Sequence, residues 1–470
     1  MDKETIKKII NMLFNPLHIK KYDKPGPRYT SYPPANFFNG GFSKEEMTHQ
    51  IVQSNLDNPQ NVSFYFHVPF CPQLCHFCGC NTELMRQKQF VERYFEAMKK
   101  EFNEVAKLID KSRPVTQIHW GGGTPNSVPL RLISEVMSLV NSHFEFTPNA
   151  DVAMECNPTY LTPKQVDELA EMGFNRISIG IQDFDLKVLD IINRRPSKLP
   201  VQEIVAYMQS KNIRVNLDFV YGLPGQTVES FSDTIRQAVA IQPERIVTFS
   251  YAHVPWVKSA QKILEQYEIP EPTTKMLMYE AAFQIITEAG YDAIGLDHFA
   301  KPNDQMALAL KNRSLHRNFM GYCTKTDTGQ VYAFGATSIT QLDGAYIQNI
   351  KNTEKYVETI EQHDFAPEKG YILSDRDKIC RVVIEELMCN HFIDLHLIAD
   401  ALSIPVETLV ESMKFDVNDL NSFIDDQLIT WSDYQLTILP QGKLFLRNIA
   451  MLFDPLLKES KATTMYSKTV

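Results

Sequence analysis

The chain has 470 residues and a formal net charge of −10, with 44% apolar and 22% charged residues. One core rarely covers that length, so one large domain plus a smaller one is expected, and the acidic balance argues against non-specific nucleic-acid binding while leaving room for a local Arg cluster that binds a small anion. No uncharged apolar run approaches the ~18 residues that a membrane span requires, and the opening MDKETIKKIINMLFNP carries charge inside its apolar pattern without a small-residue cleavage site, so a cytoplasmic protein with reduced thiols and no membrane contact is expected.

From Met1 to about Gln60 the periodicity is weak, and KYDKPGPRYTSYPPA reads as an irregular, proline-punctuated arm lying over something larger (1–60). From Ser63 onward, short β-rich runs alternate with amphipathic helical stretches. SFYFHVPF precedes a helix over Gln87 to Leu108, QIHWGGG one over Leu130 to His143, and DVAMECNP one over Pro163 to Met172; RISIGIQ, RVNLDFVYGLP and RIVTFSYAHVP continue the pattern. Six strands separated by helices imply parallel βαβ units, in a doubly wound sheet or a barrel. Polar and glycine residues cluster at the carboxyl ends of the strands, which favours an α/β fold built on an incomplete (β/α)6 barrel whose active face is that end.

Past about Ala260 the alternation fades, and GLDHFAKP, LHRNFMGYCT and FGATSIT read as loops completing the mouth, giving a barrel with extension over 61–351. The remainder, 352–470, reads as mostly helical, with a hairpin in LITWSDYQLTIL and a final helix from Gly442, suggesting a small winged-helix-like domain. Acidic residues outnumber basic ones from Tyr371 onward, so this domain is expected to serve as structure or lid and to bind no nucleic acid.

The chemistry concentrates after the first strand, where Cys71, Cys75 and Cys78 are spaced C-x3-C-x2-C and Cys80 follows. Soft thiolates favour Fe–S clusters or zinc, and three of them leave one metal position open. A zinc knuckle, a disulfide staple and buried apolar thiols are the competing readings, but a zinc site usually draws paired knuckles from two places. A long chain without a secretory signal is a poor disulfide scaffold. An open iron of a [4Fe-4S] cluster is the radical S-adenosylmethionine signature. Cys156, Cys323, Cys380 and Cys389 read as buried apolar thiols.

Gly121 to Gly123 and Thr124 follow the second strand, and a loop without side chains permits close backbone approach to a ligand or makes a tight turn. Tyr65 faces the same cofactor or is an ordinary core tyrosine. Glu155 lies in an apolar strand, where a carboxylate needs a partner such as a ribose hydroxyl or the cofactor's ammonium. Gln182, Arg194 and Asp218 stand at corresponding strand ends or in the loops that follow; for Arg194 a surface role competes. Tyr65, Glu155 and Cys80 are the candidates for direct part in the reaction.

CPQLCHFCGC with its fourth cysteine, HWGGGTP, IQDF, DFVYGLP, YAHVP, DHFAKP, HRNF and the arm PRYTSYP together make the chain resemble the oxygen-independent coproporphyrinogen III oxidases from about Tyr22 to the carboxyl terminus. That resemblance implies that Cys71, Cys75 and Cys78 ligate a [4Fe-4S] cluster, while Tyr65, Phe77, Gly122, Glu155 and Ile339 surround S-adenosyl-L-methionine. Gly123, Thr124, Gln182, Arg194, Asp218 and Ala252 match the site of a second molecule of it. Cys80 matches a motif cysteine that is not a ligand. The family's HRNFQGY pattern carries Gln where this chain has Met320.

The implied reaction is decarboxylation of two propionates of coproporphyrinogen III to vinyl groups by a 5′-deoxyadenosyl radical, with an electron donor and a terminal acceptor as partners and a monomeric enzyme. Four substrate carboxylates make Arg28 and Arg317 candidates for binding, with a surface charge as the alternative for each. Two rivals stay open: a haem-carrying relative with the same barrel, which lacks the fourth cysteine and the arm, and a radical enzyme acting on another tetrapyrrole.

Overall fold

The computed structural model describes residues 14–459 and 466–469. The opening thirteen residues of the expected arm, and residues 460–465 and 470 of the expected C-terminal domain, lie outside them. No helix among the described residues is long and apolar enough to cross a membrane.

The six expected strands are present as β1 (Val62–Val68), β2 (Val115–Gly122), β3 (Phe146–Cys156), β4 (Arg176–Gln182), β5 (Arg214–Tyr221) and β6 (Arg245–Ser250), pairing in parallel in that order. Helices Lys88–Ala106, Leu130–His143, Pro163–Glu171, Val201–Ser210 and Val228–Ile241 make the crossovers. The first of these buries Tyr94, Phe95, Met98 and Phe102 at helical spacing. Phe102 meets Phe64 edge-on at 5.4 Å, and Trp120 stacks on Phe66 at 4.6 Å, so the outer faces of β1 and β2 are sealed by aromatics.

The sheet continues beyond six strands and does not close. On one side, β7 (Asp292–Gly295) pairs antiparallel with β8 (His298–Ala300), which in turn pairs antiparallel with β6. On the other, β9 (Gln330–Phe334) pairs in parallel with β1, followed by antiparallel β10 (Ile339–Gln341), β11 (Ala345–Asn349) and β12 (Pro367–Ile372), for 13 strands with the edge strand Asn39–Gly40. Part of the stretch expected as mouth loops is therefore sheet, with β9 a seventh parallel strand whose five residues are all buried. Helix Thr353–His363 and β12, which follow position 352, belong to this main body; the separate helical region begins after them.

That region packs helices Asp375–Asn390, Leu395–Leu402 and Val406–Ser412 against a three-stranded antiparallel sheet. The expected hairpin is Ile429–Ser432 paired with Gln435–Ile438, and Phe392–Asp394 adds the third strand. The arm is strapped onto this region by hydroxyls: Tyr22 donates to Asp426 Oδ2 at 2.6 Å, Tyr29 to Asp454 Oδ2 at 2.9 Å and Tyr32 to Asp454 Oδ1 at 3.2 Å. Arg447 Nε holds the Pro27 carbonyl at 2.9 Å. The weakly periodic arm also contains the regular helix Lys44–Gln53, started by a reciprocal cap between Ser43 and Glu46.

Candidate active site

Strand alternation decides what faces the interior of the open barrel. Positions two apart on successive strands line one cavity of about 570 Å³: Gln117 and His119 on β2; Asp151, Ala153 and Glu155 on β3; Arg176, Ser178 and Gln182 on β4; Asn216, Asp218 and Val220 on β5; Val247 and Phe249 on β6. Register puts Glu155 opposite Ser178, and Gly180 opposite Asp218. Phe77 and Cys80 of the cysteine loop, Ala252, Met320 and Arg28 of the arm complete the wall.

The cysteine loop sits at the mouth. Its shape is held from the turn after β4: Asn193 Nδ2 donates to Leu74 O at 2.8 Å, and His76 N to Ile192 O at 3.0 Å. Cys71, Cys75 and Cys78 are free thiols, and each sulfur faces a donor. Thr124 Oγ1 reaches Cys71 Sγ at 3.4 Å, Arg194 Nη1 reaches Cys75 Sγ at 3.7 Å, and Cys80 N reaches Cys78 Sγ at 3.4 Å. Donors aimed at three sulfurs stabilise thiolates, the form that binds metal. Hydrogen bonds from the Cys80 thiol and, against burial, from the Cys80 N–H draw Cys78 down to about 6. Burial pushes Cys71 up to about 11, a preference that coordination to iron would override. Three thiolates on one loop suit a cluster, in which each takes its own iron, whereas a structural zinc site closes four ligands on one ion. The donor set thus fits a [4Fe-4S] cluster.

Behind the loop, Tyr65 donates to His67 Nδ1 at 3.0 Å, and His67 Nε2 donates to Asn81 O at 3.0 Å, joining the end of β1 to the far end of the cysteine loop. Glu155 accepts from His119 Nε2 and from Gly122 N, both at 3.1 Å. Its side chain is 45% exposed, all of it toward the cavity. Beneath the outer surface burial works against its charge, yet the hydrogen bond and charge of His119 prevail and hold it below the usual carboxylate range. Asp218 accepts from Ser178 Oγ at 2.6 Å, and burial pushes it up to about 6.

The glycine loop is tighter than the sequence suggests. A Cβ on Gly121 would lie 2.8 Å from Glu155 Oε1, one on Gly122 (φ +115°) 2.6 Å from the His67 ring, and one on Gly123 2.8 Å from the Pro69 backbone. These glycines are required by the protein's own packing at the end of β2 as well as by any ligand above it.

Of the candidate residues, Arg28, Phe77, Cys80, Glu155, Gln182, Asp218 and Ala252 line the cavity, and Tyr65, Gly122, Gly123, Thr124 and Arg194 stand immediately around the cysteine loop and Glu155. Arg317 sits beside the mouth, its Nη1 donating to Arg28 O at 3.3 Å. Ile339 packs against Phe38, Tyr346 and Leu373 outside the cavity wall. Cys156, Cys323, Cys380 and Cys389 are buried and free, as expected. Sequence reasoning passed over His119, Ser178, and the floor formed by Asp151, Arg176 and Arg245. Against burial, which raises it, the guanidinium groups of Arg176, Arg214 and Arg245 hold Asp151 at about 2. The signal was present as polar residues at every second position of apolar strands.

A family model described as the radical SAM superfamily matches residues 65–238. The oxygen-independent coproporphyrinogen III oxidase of Synechocystis sp. is 36% identical, with 96% of this chain and 97% of the relative aligned; that of Escherichia coli is 34% identical over the same shares. A solved structure described as coproporphyrinogen III oxidase from Escherichia coli, a radical SAM enzyme, superposes with a TM-score of 0.86 at 32% identity, covering 93% of this chain and 98% of that one.

Proposed function

The chain belongs to the oxygen-independent coproporphyrinogen III oxidases, a family of radical S-adenosylmethionine enzymes, and from that membership we propose how its residues share the work. The protein is an oxidoreductase of haem biosynthesis that turns two propionate side chains of coproporphyrinogen III into vinyl groups without oxygen, giving protoporphyrinogen IX. The observation that carries the assignment of roles is the three-thiol loop, each sulfur facing a donor, set over a polar cavity large enough for organic ligands.

When bound, the cluster and S-adenosylmethionine supply a carbon radical that removes one hydrogen atom from a propionate β-carbon, after which CO2 and one further electron leave. Cys71, Cys75 and Cys78 hold the cluster. Glu155, already charged and aimed into the cavity, takes the cofactor's ammonium, and the Gly122 N–H and His119 keep its carboxylate in place. Tyr65 and Phe77 border the same cofactor, and by the family pattern Ile339 does so through its backbone, its side chain lying in the apolar cluster of Phe38, Tyr346 and Leu373. Gly123, Thr124, Gln182, Arg194, Asp218 and Ala252 serve a second cofactor molecule; among the described carboxylates of the cavity wall, Asp151 faces arginines and Glu155 faces His119, whereas Asp218 accepts from Ser178. Cys80 borders the cavity without ligating the cluster. The apolar wall of Phe77, Val247, Phe249 and Met320 excludes water from the reacting carbon.

Arg28 and Arg317 receive substrate carboxylates, since a guanidinium fork matches a planar carboxylate. Residues 14–60, the described part of the arm, bring Arg28 to the mouth, and the C-terminal helical region is their anchor. The enzyme works as a cytoplasmic monomer with an external electron donor and a terminal acceptor.

The test is an anaerobic assay on protein with its cluster reconstituted, given reductant, S-adenosylmethionine, coproporphyrinogen III and an electron acceptor. Chromatography should show 5′-deoxyadenosine and decarboxylated porphyrin rising together, both abolished by Cys75→Ser. Deoxyadenosine without any change in the porphyrin would point to another substrate and overturn the proposal.

A further inference from the structure

A second pocket of about 390 Å³ adjoins the active cavity and shares Arg28, Ser250, Tyr251 and Ala252 with it. It lies between the arm and the chain's tail, which clasp each other through Gly26 N to Ser467 O (3.1 Å) and Thr469 N to Lys24 O (3.0 Å). Among the described residues Arg28, Lys275, Arg447 and Lys468 line it, with Asp23 the one side-chain carboxylate. Asp23 is already matched by Lys468 Nζ at 3.1 Å, and nearby Asp297 by His298 Nδ1 at 2.8 Å.

The other cations have no such match. Arg447 is 6% exposed, and among the described residues its guanidinium donates to backbone carbonyls alone, those of Gly26, Pro27, Lys468 and Thr469. Lys275 Nζ donates to the Tyr251 carbonyl at 3.0 Å. Arg317, adjoining, has its Nε buried without a partner. Among the described residues none of Arg28, Lys275, Arg317 or Arg447 forms an ion pair with a carboxylate. Burial, with the charges of Arg28 and Arg317, draws Arg447 down to about 9, and burial draws Lys275 down to about 8. Buried positive charge satisfied only by carbonyls is costly until an anion arrives.

We propose that this pocket is a carboxylate subsite in which Arg28, Lys275 and Arg447 hold the pair of propionates common to substrate and product, while a reacting propionate lies beneath the cysteine loop. No cysteine-loop residue borders the pocket, whereas Phe77 and Cys80 border the main cavity, so carboxylates held in it stay clear of the chemistry. This inference rests on the substrate proposed above.

The test measures anaerobic binding of coproporphyrin III, with four propionates, and protoporphyrin IX, with two, to cluster-reconstituted full-length protein by fluorescence anisotropy. Removing one charged partner of a carboxylate should cost about tenfold in affinity. Lys275→Gln should weaken both porphyrins by that factor while the thermal midpoint of the ligand-free protein stays at or above that of the wild type, and Lys275→Arg should restore both. Wild-type affinity of Lys275→Gln for both porphyrins overturns the subsite while leaving the function intact. Loss for coproporphyrin III alone overturns it too, since the pocket would then hold a reacting propionate. Failure of the wild type to bind either porphyrin overturns the subsite, whereas failure to turn over coproporphyrinogen III is the separate result that would refute the substrate.

Discussion

Glu155→Gln isolates the charge of one carboxylate from its shape. In the wild type Oε2 accepts from Gly122 N and Oε1 from His119 Nε2, each at 3.1 Å, and the rest of the group opens on the cavity. The amide keeps one oxygen for the Gly122 N–H and sets its NH2 against His119 in the place of Oε1, so the fold should lose no more than about 1 kcal/mol. What disappears is the negative charge facing the cofactor's ammonium. A hydrogen bond between charged groups contributes roughly 1.5–3 kcal/mol, which at ~1.4 kcal/mol per decade predicts S-adenosylmethionine affinity about 10- to 100-fold weaker. Equilibrium dialysis against labelled cofactor, on protein with its cluster intact, reads the effect. Glu155→Ala should do worse, because it also releases Gly122 N and His119. An affinity for Glu155→Gln within about threefold of wild type would refute the reasoning, since such a factor is smaller than one charged hydrogen bond supplies.

Asp218 is held up to about 6 by burial, against 3.8 for the unperturbed group. As pH rises from 4 to 6 the unfolded chain ionises first, so the site costs stability that is nearly absent below about 4 and nearly fully expressed above about 6, on the order of 3 kcal/mol. Asp218→Asn should therefore raise the urea midpoint of the apoprotein at pH 7.5, leave it unchanged near pH 4, and impair turnover; equal gains at both pH values would show that ionisation is not the cause. Gly122→Ala forces a side chain to φ +115° and a methyl carbon to 2.6 Å from the His67 ring. The expected loss is roughly 1–3 kcal/mol in urea unfolding, and wild-type stability would mean that the loop is looser than it stands here. Arg28→Ala and Arg317→Ala should each weaken coproporphyrin III binding; if both leave it untouched, the substrate carboxylates are held elsewhere.

The six parallel strands could be read from the sequence because each is a β-branched or aromatic run bounded by a turn and followed by an amphipathic helix. The strand Gln330–Phe334 could not. It is a short, fully buried run without alternation, and its partner β1 lies far back along the chain. The helix Lys44–Gln53 was legible in principle, since SKEE spells its reciprocal cap, but the prolines before it masked the signal. At the site, the cysteine spacing and the glycine run identify themselves locally. The cavity floor does not, because Asp151, Arg176 and Arg245 meet only through strand register. Ile339 shows the opposite limit: its position follows the family pattern, yet its side chain here joins an apolar cluster outside the wall. The arm's destination was also hidden, as the hydroxyls of Tyr29 and Tyr32 find Asp454 across more than 400 residues of sequence.

The central claim is that the three-thiol loop directs radical chemistry at a propionate β-carbon held in the cavity below it. It is tested most directly by anaerobic turnover with coproporphyrinogen III deuterated at the propionate β-carbons, followed by mass spectrometry of both products. The account predicts one deuterium in 5′-deoxyadenosine for each vinyl group formed, with neither product made by Cys75→Ser. Deoxyadenosine free of deuterium, or porphyrin bound and released unchanged, would contradict it.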